Sequence, residues 1–251
     1  MKYTNLRVAL LVLILSFLTA CATFDDVIGQ SGRDSESNIE PEKTVTQDAV
    51  DLVIVDPVVA QALLLKSQNN QYLMTKVDVP SEIRARFIQA LALKQQKEYE
   101  PAKEMFLSIT QSQPSLSGPW LQLAEISQLQ ALDSGAEDAQ NEHIKTYLQQ
   151  AINVNPANYF AHNRLGGLLR TEGDFAQAKN HYQLALKSWP GFAPAYLNLA
   201  ILDDLYIGDK NQALEKYLLY QALVDKPERQ VKGWIADLSR QVEAQKSEGV
   251  K

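Results

Sequence analysis

Pro156 and Pro190 stand 34 residues apart, and the residues ahead of them match in register. Ile144, Leu148 and Ala151 precede the first proline at the same spacing at which Ala178, Tyr182 and Ala185 precede the second. Ala102, Phe106, Ile109 and Pro114 repeat the pattern upstream. Ala213, Tyr217 and Tyr220 repeat it downstream, with Pro227 arriving two residues late. A fixed period of this size requires small units, each unable to bury its apolar face alone, stacked so that neighbours share one core.

The residues between these sets support a helical pair in each unit. Tyr159-Phe160-Ala161-His162-Asn163-Arg164-Leu165-Gly166 follows Pro156, and Ala195-Tyr196-Leu197-Asn198-Leu199-Ala200 follows Pro190. Trp120-Leu121-Gln122-Leu123-Ala124 follows Pro114, and Phe87, Ala90, Leu91 and Leu93 lie ahead of the first joint. Gly173-Asp174 and Gly208-Asp209 break the helices where a left-handed residue would end them. Beyond Ser81, read as an N-cap, proline and glycine occur almost only at joints. The segment from Trp120 to Ile144 is about eight residues too long for the period. The surplus, Leu132 to Asn141, is read as a polar inter-helix loop or an extended helix end.

This pattern of a large residue, Leu-Gly or Leu-Ala, Gly-Asp at the turn, an Ala/aromatic/Ala set and a closing proline resembles the tetratricopeptide repeat (TPR) family. The resemblance implies an all-α, TPR-like helical-hairpin solenoid of about four repeats over residues 81–227. Residues 228–247 are read as a capping helix, with Val231, Trp234, Ile235, Leu238 and Val242 on one face. Residues 49–80 are read as an N-terminal helical segment, with Pro57 at a helix start. In the family, the first helix of each pair lines a concave groove that holds a segment of another protein. By register the lining residues are Arg84, Phe87, Leu91 and Lys94; Leu121, Glu125 and Gln128; Phe160, Asn163 and Arg170; and Leu197, Ile201 and Asp204. A competing reading folds residues 49–80 or the cap into the groove. A carboxylate clamp is not expected, since only Asn163 and Arg170 suit one.

The first twenty residues carry a different kind of information. Lys2 and Arg7 precede the apolar run Val8 to Leu18, which is too short to cross a bilayer and reads as an export signal. Leu18-Thr19-Ala20-Cys21 then resembles the bacterial lipobox, which implies cleavage before Cys21 and acylation of its thiol and new amine. Several acyl chains anchor a protein durably where one does not. Cys21 is the sole cysteine, so no internal disulfide is possible. Ala22 is not the Asp that retains Gram-negative lipoproteins in the inner membrane, so the resemblance implies the periplasmic face of the outer membrane. Residues 21–48 are acidic and poor in large apolar groups, the composition of a tether with a reach of roughly 30 Å.

Charge and motif content exclude several functions. Removing Lys2 and Arg7 takes the net charge from −6 to −8, which disfavours nucleic acid as a partner. The three histidines, His143, His162 and His181, lack a carboxylate or cysteine partner at ligand spacing, so no metal is expected. His162 and His181 fall on opposite helices of one pair and can approach each other. No phosphate loop or nucleophile elbow occurs, so neither catalysis nor a cofactor is expected. The sequence therefore points to a lipid-anchored adaptor or scaffold with protein partners in the cell envelope. A pilotin-like assembly factor for a secretin or pilus system is the alternative, and docking of cell-wall hydrolases or proteases is a variant of the adaptor.

Overall fold

The computed structural model describes residues 56–75, 77–135 and 137–248. Cys21, the tether and residues 49–55 lie outside them. The described residues contain helices and no strand, in an all-α, TPR-like array. Two short helices come first, α1 (Pro57–Lys66) and α2 (Gln71–Met74). Four antiparallel pairs follow: α3 (Ser81–Gln95) with α4 (Tyr99–Ser112), α5 (Gly118–Ser134) with α6 (Glu137–Val154), α7 (Tyr159–Glu172) with α8 (Phe175–Ser188), and α9 (Ala193–Leu202) with α10 (Lys210–Leu223). A cap, α11 (Arg229–Glu248), closes the stack.

The repeated residues hold the pairs together as their sizes require. Ala102, Phe106, Ile109, Leu148, Ala151, Ala178, Tyr182, Ala185, Ala213, Tyr217 and Tyr220 are all buried. Gly166 is where the third pair touches most closely. A Cβ there would stand 2.7 Å from Tyr182 Cε1 and 3.1 Å from the Ala178 carbonyl. The family's Gly-Asp turn appears as Gly173 and Gly208 in the left-handed region, at φ +88° and +82°. Asp174 and Asp209 then cap the next helix, each accepting from a backbone N–H at 3.1 Å.

The surplus in the second pair is helix, not loop. α5 and α6 run to 17 and 18 residues, against 14 each for α7 and α8. Gly135, at φ +67°, turns the chain between them. Ser81 is the first residue of α3 rather than its cap. Pro80 holds the cap position, and no side chain satisfies the first N–H groups. α9 continues into a π-helical turn, Asp203–Ile207. Asp203 is fully buried there and pairs with Lys179 at 3.2 Å and Lys216 at 3.0 Å. One carboxylate thus ties α8 to both helices of the fourth pair. The cap packs as its pattern requires: Val231, Leu238 and Val242 are buried, and the Trp234 ring lies 5.7 Å from Tyr217.

Residues 56–75 form a strap along the edge where each pair hands over to the next. α1 lies against α10. Leu65 and Lys66 pass so close to Gly191 that a Cβ there would meet their backbone at 3.2 Å. Tyr72 then stacks edge-on against Tyr159, with centroids 5.8 Å apart, and its hydroxyl receives a bond from Ser117 Oγ at 3.4 Å. The backbone of Gly191, Tyr159 and Ser117 belongs to the junctions between pairs. These contacts place the strap on the junction edge.

Candidate functional site

The first helices α3, α5, α7 and α9 form one face, and their polar side chains are bonded from pair to pair. Lys94 Nζ lies 3.1 Å from Glu125 Oε2 and donates to Gln122 Oε1 at 2.6 Å. Arg164 reaches the other Glu125 oxygen at 3.4 Å and donates to Gln128 Oε1 at 3.1 Å. Glu125 therefore joins α3 to α7 through α5. Burial alone would raise its pKa, but Arg164 and Lys94 together hold its carboxyl below the usual range. Further along, Asn198 Nδ2 donates to Asn163 Oδ1 at 2.9 Å, and Arg170 donates to Asn198 Oδ1 at 3.3 Å. Such a ladder fixes the spacing of neighbouring pairs and leaves amide and charged edges along a half-buried surface.

The sequence-predicted lining residues divide. Leu91, Lys94, Glu125, Gln128, Asn163 and Asp204 are half-buried on the first helices, and Arg84 is exposed. Phe87, Leu121, Leu197 and Ile201 are not on an accessible surface; each is buried in the core. Phe87 packs edge-on against Phe106, with centroids 5.2 Å apart. A first helix is buried on two sides, against its partner and against the next pair, so its large apolar residues serve packing. Phe160 is half-buried in an aromatic cluster with Tyr159 and Phe192, at 4.2 and 5.5 Å. Arg170 is buried rather than displayed.

Gln122, Arg164 and Asn198 belong to this face but stand outside the predicted set. Gln122 follows the buried Leu121 and Asn198 follows the buried Leu197, an offset of one residue at those two places, whereas Asn163 is on the face as expected and Arg164 joins it. A signal for it was present: Gln122, Arg164 and Asn198 all occupy the position just before the Leu of the Leu-Ala or Leu-Gly step.

The histidine pair forms within the third repeat. His162 Nδ1 and His181 Nδ1 are 3.0 Å apart, and His162 Nε2 is 3.1 Å from the Pro156 carbonyl. A carbonyl accepts only, so His162 carries its proton on Nε2 and offers the Nδ1 lone pair to His181 Nδ1–H. The ring centroids are 5.2 Å apart, about the value for rings meeting end to end across a linear N–H···N bond. That is hydrogen-bond geometry rather than chelation, in which both lone pairs would converge off the line. Burial lowers the pKa of both rings. Among the described residues, no group of three or more His, Cys, Asp or Glu side chains could hold a metal, and no helix is long and apolar enough to cross a membrane.

Residues 161–190 match the tetratricopeptide repeat family model. These residues contain most of α7 and all of α8, where the sequence pattern is also most regular. The chain finds no match among curated proteins. Among solved structures it is similar to a Pseudomonas aeruginosa pilF structure, at 19% identity over 64% of this chain and 69% of that one, with a TM-score of 0.54. It is also similar to a double mutant of MamA RS-1, at 13% identity over 66% and 88% of the two chains, with a TM-score of 0.51. YrrB, described as a TPR protein with an unusual peptide-binding site, aligns at 19% identity over 59% and 71%, with a TM-score of 0.45. These identities speak for the fold alone.

Proposed function

We propose that this chain is a membrane-tethered adaptor that holds a segment of a partner protein on the face formed by α3, α5, α7 and α9. The observation that carries the reading is the continuous row of half-buried Lys94, Gln122, Glu125, Gln128, Arg164, Asn163 and Asn198, contributed by all four pairs. Hydrogen-bonding groups on a rigid, half-buried face suit an extended chain, which brings its own N–H and C=O groups. The strap seats on the junction edge, reaching this face where Tyr72 joins the cluster around Phe160, and among the described residues it makes no hydrogen bond or ion pair to Lys94, Gln128 or Asn163. The lipobox-like Leu18-Thr19-Ala20-Cys21 supports anchoring through acylated Cys21, and Ala22 supports the outer membrane on its periplasmic side. No catalytic role is proposed: the polar residues of the face are engaged with one another as structural pairs.

A photoreactive residue at Gln128 or Asn163, introduced into the full chain in its native envelope, tests this. Crosslinks to a discrete partner from these sites, and none from Glu104 on α4, are expected. Equal crosslinking from both helices would remove the face from consideration. The identity of the partner separates the narrower forms. Secretin or pilus subunits would mark a pilotin-like assembly factor, and cell-wall hydrolases or proteases the docking variant. Cys21→Ser, with metabolic labelling by a clickable palmitate, tests the anchor separately; equal label in both chains would end it.

A further inference from the structure

The two ends of the first-helix face differ in how their cations are neutralised. Toward α3 and α5, Lys94 and Arg164 share the Glu125 carboxylate. Toward α7 and α9, Arg170 has no such partner. Its side chain is 8% exposed. One NH group donates to the Asn198 amide oxygen at 3.3 Å, and its Nε is buried without an acceptor. Among the described residues, Glu172 pairs with Lys145 and Asp203 with Lys179 and Lys216, while Asp204 accepts from the Tyr217 hydroxyl at 3.5 Å, so that it reaches the Arg170 neighbourhood through that hydroxyl and makes no ion pair with the guanidinium. The Tyr182 hydroxyl, close enough to feel the guanidinium, is also buried without a partner. A buried cation held only by a neutral amide is an unbalanced arrangement. Two further donors without acceptors in the same place deepen the imbalance.

We propose that Arg170, with Asn163 and Asn198 beside it, anchors the side-chain carboxylate of an Asp or Glu in the partner segment. This rests on the reading of the first-helix face as the binding surface, and it names what that surface selects. The planar guanidinium fork matches the two oxygens of a carboxylate. The Asn198 amide, which now caps Arg170 and bonds Asn163, yields its place to the incoming acid. A phosphate dianion would call for more cations than the one this end supplies. The bonded face continues from here to Gln128 and Lys94, so the acid belongs to a segment passing along the face rather than to a chain end.

Short random peptides displayed with their C-termini fused to a phage coat protein offer side-chain carboxylates alone, and are panned on the full chain in detergent. The selected peptides are expected to share Asp or Glu at one position. Synthetic copies should lose about tenfold in affinity to Arg170→Gln, and as much when the peptide acid becomes its amide. The two losses should not add, because both break one contact. The change in the peptide leaves the protein untouched, so the test survives even if Arg170→Gln unfolds the third pair. Selected peptides without an acidic position, or with equal affinity for Arg170→Gln, would overturn the assignment. Sensitivity to Gln128→Ala and Asn163→Ala but not to Arg170→Gln would leave the face as the binding surface and sink this inference alone. Insensitivity to all three would sink both.

Discussion

The first and third helix pairs share one plan but reach it by different means. In the third, Asn158 is buried and caps α7, accepting from Ala161 N–H at 3.0 Å while donating to Ser117 at 3.2 Å. Gly166 lets α8 press against α7, and Gly173 turns the chain. In the first pair, α3 starts without a side-chain cap, and Ala90, fully buried, fills the place of Gly166. Lys97, at φ 63°, makes the turn that glycine makes in the other three pairs. The family model matches residues 161–190, which hold most of the third pair. The local rules for the fold are thus concentrated there, and the first pair depends more on what its neighbour supplies. Lys94 bonding across to Gln122 and Glu125 on α5 is the example.

Glu125 is the strongest test of that dependence, because it joins the two. Lys94 is 9% and Glu125 12% exposed at the side chain, so removing the carboxylate strands a buried ammonium. Glu125→Gln should cost about 3 kcal/mol, read as a shifted denaturant midpoint. Hydrogen exchange should rise in α3 before it rises in α7. The same carboxylate makes stability depend on acid. Its folded pKa is depressed, so its contribution is full above the ordinary carboxylate range and is lost as pH falls through the folded value. Uniform exchange across the array would contradict the dependence of the first pair on α5.

A smaller loss should follow in the third pair from one methyl group. Gly166→Ala places a Cβ 2.7 Å from the Tyr182 ring, and overpacking of this kind costs about 2 kcal/mol. Thermal unfolding followed by circular dichroism should show the lowered midpoint. Ala90→Gly, the reverse exchange in the first pair, removes a fitted methyl group and adds backbone freedom, and should cost about 1 kcal/mol. A midpoint unmoved by Gly166→Ala would mean that Tyr182 can swing aside.

The same comparison explains what was legible in the sequence. Helix contacts between paired helices recur every 34 residues in the central repeats, so Ala178, Tyr182 and their equivalents declare themselves. The exposed face does not recur in the same way. Leu197 and Asn198 are adjacent on one helix, and which of them faces the core is legible only when the helices are aligned on the Leu-Ala or Leu-Gly step that Gln122, Arg164 and Asn198 precede. Hence hydrophobic register alone points to Leu121, Leu197 and Ile201 for the surface, where the fold places Gln122, Arg164 and Asn198. The strap was harder still. Pro57 marks its first helix, but the junctions it touches, at Ser117, Tyr159 and Gly191, are 45 to 125 residues from Tyr72 and Lys66 along the chain. Nothing local encodes that path.

The histidine pair should give a modest effect in the third pair and none in the first. Burial lowers the folded pKa of both His162 and His181 from the ordinary 6.5. A group depressed in this sense stabilises the fold above its unfolded pKa, and stability falls as pH drops below about 6.5. The decline ends once pH is below the folded value. Between about pH 7 and 5 the unfolding midpoint should therefore fall, well above the range in which Glu125 titrates. His181→Gln keeps a donor for His162 and removes one titrating ring, so it should flatten the slope. An unchanged slope would place the pH response outside the third pair.

The smallest expected effect is a gain, and it bears most directly on why the first pair differs. Lys97 sits in the left-handed region because the turn from α3 to α4 has the same geometry as the turn at Gly173. The Glu98 N–H bonds the Leu93 carbonyl at 2.9 Å, as the Asp174 N–H bonds Leu169 at 2.9 Å. For a residue with a Cβ this backbone conformation costs about 1 kcal/mol or more, and glycine adopts it freely. Glycine also adds freedom to the unfolded chain, which offsets part of the gain. Lys97→Gly should therefore stabilise by about 0.5–1 kcal/mol, even after losing the distant, exposed contact of Lys97 with Asp133 at 4.0 Å, which is worth little. The reciprocal change, Gly173→Lys in the third pair, should destabilise by a similar amount. Opposite signs at the two turns would show that the pairs share one geometry and differ only in how well their sequences fit it. A loss at Lys97 would mean that its side chain, not its backbone, is what the first pair needs.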